Sequence, residues 1–182
     1  MSTEYVIDGV DVRTLPKISL HDHLDGSLRP ATIIELAEAE GIELPVLDAE
    51  GLGQWFADQS NSGSLVEYLK TFDLTCAVMQ TREGLTRVAR ESVIDLANDG
   101  VIYGELRWAP EQHLTKGLTL DQVVEYVQEG IEQGIKEMGI APALVEAAIE
   151  PVSQWGWYGE LLEKEGLTVH LVDAYKAKLF VR

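Results

Sequence analysis

Apolar positions along the chain follow two rhythms, short continuous runs and stripes spaced three to four residues apart. The run 17–20, followed by His21-Asp22-His23, reads as a strand, and Asp25-Gly26 then turns the chain sharply. Arg29-Pro30-Ala31-Thr32 opens a helix over 31–40, striped by Ile33, Ile34, Leu36 and Ala37 and closed by Gly41. Leu52, Trp55 and Phe56 stand at i, i+3, i+4, the spacing of a short amphipathic helix that fills its own core. After the polar loop 60–64, Ser64 and Glu67 form a capping-box pattern ahead of helices over 65–79 and 83–98. Asp99-Gly100 ends the second of these, and 101–108 reads as a buried strand stopped by Ala109-Pro110. Thr119 caps a long helix to about residue 137, ended by Gly139. A strand over 143–149, a helix over 154–164 and a strand over 167–172 complete the pattern. Strands alternating with helices predict an α/β protein with a parallel sheet.

Composition narrows the classes. At 182 residues the chain has room for one ordinary domain with a buried core. Its 31 acidic and 14 basic residues give a formal charge of −17, which argues against nucleic acid and anionic membranes as partners. No run is apolar for long enough to span a bilayer and the N-terminus does not resemble a signal peptide. The lone Cys76 has no internal disulfide partner, so a cytoplasmic location is expected, with Cys76 a helical core residue rather than a catalytic thiol.

The candidate chemistry gathers at the end of the first strand. Side chains on a strand alternate with period two, so His21 and His23 are expected to point the same way and present two neutral nitrogen ligands to a divalent metal of the zinc class. Histidines at the C-terminal end of a strand, followed by a loop and a helix, sit where α/β barrels keep their active sites. Glu105 and Arg107 share one face of the second strand, as an ion pair bracing the interior or as the lining of a site. His113 lies on the side of a ligand, although a solvent-exposed loop position is the simpler reading.

The segment 15–27, Leu-Pro-Lys-Ile-Ser-Leu-His-Asp-His-Leu-Asp-Gly-Ser, resembles the opening strand of the adenosine deaminase family. The resemblance continues through 68–73, 80–83 and 101–110 and covers about residues 5–139. It implies a (β/α)₈ barrel and zinc-dependent hydrolysis of adenosine or deoxyadenosine to inosine or deoxyinosine. By that resemblance His21 and His23 are metal ligands, His23 also lies beside the substrate, Asp25 holds the ribose hydroxyl, and Trp55 and Phe56 belong to the helix that gates the nucleoside pocket. Zinc in such a site lowers the pKa of a bound water towards neutrality, and a general acid protonates the purine ring. The family's His-Ala-Gly-Glu, Gly-His-Gly and Asp-Asp segments do not occur in the 182 residues. The expected catalytic set is therefore incomplete, with zinc or another divalent metal weakly held and turnover very weak or absent.

The pattern thus predicts roughly the first half of a (β/α) TIM-type barrel over 1–139. A closed eight-stranded barrel then requires chains to combine. From about 142 the sequence resembles the RuvC-like domain of DEDD-type insertion-sequence transposases, so 140–182 is expected to be a foreign βαβ tail. In that family a strand-end glutamate, here matched by Glu150, helps to bind magnesium, although a plain strand end before Pro151 is the simpler account. Two other readings stand beside the deaminase-like one. One is a binding module or non-functional fusion product that self-associates as a homo-oligomer through an exposed sheet edge. The other is a transposase fragment acting on DNA, which the net charge opposes.

Overall fold

The structure, a computed structural model, describes residues 5–140 and the backbone of 146–149 and 168–171. It divides into two units, Met1–Met138 and Gly139–Arg182. The first opens with a hairpin of β1 (Val6–Ile7) and β2 (Val10–Asp11), whose turn places Asp8 and Gly9 at φ +51° and +82°. An Asp-Gly pair between short apolar runs is the signal for such a turn, because both central residues need positive φ. Its two-residue strands are too short to show as an apolar run.

β3 (Lys17–His23) and β4 (Val101–Arg107) pair in parallel, as the alternating pattern requires. Between them run α1 (Pro30–Glu40), α2 (Ala49–Ser60), α3 (Leu65–Ala77) and α4 (Arg82–Asn98), and α5 (Leu120–Met138) follows. Each helix from α2 to α4 starts on a side-chain cap: Asp48, Ser64 and Thr81 accept from the backbone N–H of Gly51, Glu67 and Gly84. The box expected at Ser64 is only half made, since the Glu67 carboxylate turns to Lys70. At Thr119 the box is complete, with Thr119 Oγ1 accepting from Gln122 N–H and Gln122 Oε1 accepting from Thr119 N–H. The aromatic helix is longer than Leu52, Trp55 and Phe56 alone indicate, because the Asp48 cap lies outside that stripe.

The core lies between the helices. Ile33, Leu36, Leu52, Leu85, Val88 and Val127 are buried together, and Trp55, Phe56, Leu106 and Trp108 pack against them. α4 and α5 approach closely enough that a Cβ on Gly130 would stand 2.2 Å from the Thr86 carbonyl oxygen. Beneath α1 the Glu91 carboxylate is buried but satisfied: Thr32 Oγ1 donates at 2.6 Å and Arg87 Nε at 3.0 Å. No described helix is long and apolar enough to cross a membrane.

In the second unit, β5 (Glu146–Ile149) and β6 (Thr168–Leu171) pair in parallel, within the strands expected over 143–149 and 167–172. The helix expected over 154–164, and Glu150, lie outside the described residues.

Candidate functional site

The strand that delivers His21 and His23 is not regular. Ser19 pairs with Gly104 and Asp22 with Leu106, so β3 advances three residues while β4 advances two. The extra residue is a bulge, and His21 within it takes φ +60°. A left-handed residue without a glycine's freedom costs on the order of 1–3 kcal/mol and persists only where its surroundings hold it. Two partners do so here. Glu105 Oε2 accepts from His21 N–H at 3.3 Å, and Arg107 Nη1 stands 2.7 Å from His21 Nδ1 and also contacts its Nε2.

The bulge changes the reason for the expected pairing, although the two rings still meet. Ser19 and Asp22, three residues apart, share the helix-facing side and bond at 3.2 Å. Asp22 there lines a small cavity with Ser92, Asp95 and Asp99 of α4 and its end. The imidazoles of His21 and His23 come to 5.4 Å between centroids, tilted by 52°. Regular alternation therefore does not explain their proximity. A bulge cannot be read from the alternation that it breaks.

β3 ends in a 3-10 turn, Leu24–Gly26, that buries Asp25. Its Oδ1 lies 3.3 Å from His23 Nδ1, and its Oδ2 faces the Cys76 thiol at 3.9 Å. Burial and the Asp25 charge push the Cys76 thiol up to about 11, so it is a protonated donor rather than a nucleophile. The thiol also reaches Gln112 Oε1 at 3.4 Å. Cys76 is thus half-buried in a helix, as the sequence indicated.

The turn after β4, Pro110–His113, brings a correction. His113 is 1% exposed rather than a solvent loop residue. One residue ties the turn inward with two bonds: Gln80 Nε2 donates to the Gln112 carbonyl, and Gln80 Oε1 accepts from Thr115 N–H. Burial lowers the His113 pKa, while the Asp25 charge and a hydrogen bond to the Met79 backbone oppose that shift. A histidine followed by an apolar residue and flanked by polar ones gave no sign of this burial.

Among the described residues, Asp25 Oδ1, Trp108 Nε1 and His113 Nδ1 are buried and receive or make no hydrogen bond, Asp25 Oδ1 having only the close approach of His23 Nδ1. All three belong to segments that leave the C-terminal ends of β3 and β4, the end where His21 and His23 stand. Unsatisfied buried polar atoms cost about 1–3 kcal/mol each, so their gathering at one end marks a place shaped for a polar guest. Glu105 and Arg107 line this end separately instead of bracing it as a pair. Glu105 turns to His21 N–H and the Tyr103 hydroxyl, and Arg107 turns to the His21 ring.

The histidines are the right donors for zinc but too few. A catalytic zinc takes three protein ligands and a water. No group of three or more His, Cys, Asp or Glu among the described residues could hold a metal ion. Arg107 also occupies the lone pair on His21 that a metal would use. These residues do not fit a tightly held zinc by themselves.

The sequence model of the adenosine deaminase family matches residues 16–163. Adenosine deaminase 1 of Streptomyces coelicolor is 59% identical over 124 residues, 68% of this chain and 31% of that protein. The structure of an adenine deaminase from Arthrobacter aurescens is similar with a TM-score of 0.62 and 28% identity, over 87% of this chain and 49% of that one. An amidohydrolase from Burkholderia ambifaria, solved with bound Zn, has a TM-score of 0.60 over 76% of this chain and 36% of its own. At 22% identity that likeness is one of fold. The chain spans about a third of the length of the curated relatives it matches. The matched family model and the identity to curated adenosine deaminases place this chain in the adenosine deaminase family.

Proposed function

We propose that this chain carries the part of a purine-nucleoside deaminase site that the first strands of a (β/α) barrel supply. The observation that carries the reading is the gathering of His21, His23 and the buried Asp25 Oδ1, which makes no hydrogen bond among the described residues, at the C-terminal end of two parallel strands. Asp25 accepts from a ribose hydroxyl of adenosine, which gives Oδ1 the hydrogen bond it lacks among the described residues. His23, 3.3 Å from Asp25, borders the same guest. Trp55 and Phe56, half-buried and edge to face at 5.0 Å, belong to the helix that covers the base. His21 and His23 are the metal ligands of this reading, and the zinc bound by the related fold supports the choice of metal. Two imidazoles, one of them engaged by Arg107, give weak affinity, so the isolated chain turns adenosine over very slowly or not at all. A half-barrel built on residues 1–139 and a cytoplasmic setting belong to the same reading, as does a C-terminal segment of separate origin over 140–182, against which the family model's match as far as residue 163 weighs.

Calorimetric titration of the purified chain with zinc, followed by adenosine, tests this. Weak zinc binding that is lost in His21→Ala and His23→Ala, with adenosine binding weakened at least tenfold in Asp25→Ala, supports it. Zinc uptake indifferent to both histidines, or adenosine binding indifferent to Asp25, overturns the corresponding assignment.

A further inference from the structure

Gln80 stands in the turn between α3 and α4 and is 4% exposed, yet its side-chain amide is fully engaged. Its Nε2 donates to the Cys76 carbonyl at 2.7 Å and to the Gln112 carbonyl at 2.9 Å. Its Oε1 accepts from the Thr115 N–H at 3.0 Å and from the Thr115 hydroxyl at 2.8 Å. Two donated and two accepted bonds exhaust what a primary amide offers. The turn between the helices does not call for this residue. Met79 N–H already closes it on the Cys76 carbonyl, and Thr81 caps α4. The bonds to Gln112 and Thr115 instead cross to the segment that follows β4. One buried side chain therefore joins the end of α3 to that segment, and both border Asp25. Cys76, on the first, turns its thiol to Asp25 Oδ2 at 3.9 Å and to Gln112 Oε1 at 3.4 Å. His113, on the second, feels the Asp25 charge and is hydrogen-bonded to the backbone of Met79, the neighbour of Gln80.

We infer that Gln80 is the positioning residue of Asp25: by clamping Cys76 and His113 it fixes the walls against which that carboxylate is set, and so the direction in which it accepts from a ribose hydroxyl. Gln80 acts through those two neighbours and not on the nucleoside. The ribose contact rests on the deaminase reading; the seat of Asp25 does not.

Two readouts on the full chain test it. Cys76 is the chain's lone cysteine, so iodoacetamide reports its seat without ambiguity. Gln80→Met keeps the length of the side chain and removes all four bonds. At neutral pH it should speed alkylation of the folded protein by about tenfold or more, because the thiol leaves the buried place beside Asp25 that suppresses its thiolate. Gly130→Ala, which loosens the α4–α5 contact instead, should stay within about twofold of wild type, so lost stability alone does not imitate the effect. In calorimetry, Gln80→Met should weaken adenosine binding by about fivefold and leave adenine, which has no ribose, unchanged, the pattern expected of Asp25→Ala. If Gln80→Met fails to fold, Thr115→Val, which removes one accepted bond, should move both readouts the same way by about twofold. Alkylation as slow in these variants as in wild type, or adenosine and adenine weakened alike, overturns the proposal. A wild type that binds adenosine and adenine equally overturns the deaminase reading and the ribose contact with it, and the seat of Asp25 then stands or falls by the alkylation.

Discussion

The helix layer and the open strand face obey different rules. Around α1, α4 and α5 apolar side chains are buried, and the one deeply placed acid, Glu91, has its partners. On the face formed by β3 and β4, apolar side chains are exposed, His21 is left-handed, and polar atoms at the strand ends make no hydrogen bond among the described residues. Stability and candidate chemistry therefore rest on separate residues. The first region is nearly satisfied on its own, and the second is shaped for something else to complete it.

Substitutions test that separation, the largest effects coming from the helix layer. Glu91→Ala takes the buried acceptor from the Thr32 hydroxyl and from Arg87 Nε, although Arg87 keeps its ion pair to Glu35, and should cost about 2–3 kcal/mol in urea unfolding. Gly130→Ala forces α4 and α5 apart at the Thr86 carbonyl and should cost about 1–3 kcal/mol. Ile18→Ser, on the open face, should move the stability of dilute monomer by less than about 0.5 kcal/mol. A loss as large as that of Glu91→Ala would erase the contrast between the two regions.

Smaller effects come from the buried groups beneath the site. The His113 imidazole has a lowered pKa in the folded chain, so the unfolded chain takes up the proton first as the pH falls. Stability should be full above the ordinary imidazole value of 6.5 and should decline below it. Denaturant midpoints across that range should fall more steeply for the wild type than for His113→Gln. Cys76, with its pKa pushed up to about 11, should react with iodoacetamide slowly at neutral pH and faster only as that value is approached. Rapid labelling of folded protein at neutral pH would contradict the buried, protonated thiol.

Much of this was legible in the sequence because helices announce themselves by stripe and cap. The caps at Ser64 and Thr119 and the stop at Gly41 stand where the residues put them. The parallel pairing of β3 with β4 followed from alternation of strands and helices. The site was legible as residue types and less so as geometry. His21 and His23 meet through a bulge, which depends on the register with β4 and on Glu105 and Arg107 far along the chain. The burial of His113 likewise depends on Gln80 tying down a turn more than thirty residues away. Long-range tethers of this kind leave no periodic trace.

The measurement that bears most directly on the account is conversion of adenosine to inosine by the purified chain, followed by absorbance against graded zinc. With two imidazoles and no third ligand gathered among the described residues, turnover should remain at or near background at every zinc level. Conversion that rises with bound zinc and disappears in His21→Ala would contradict it, and would show that this chain assembles a working site.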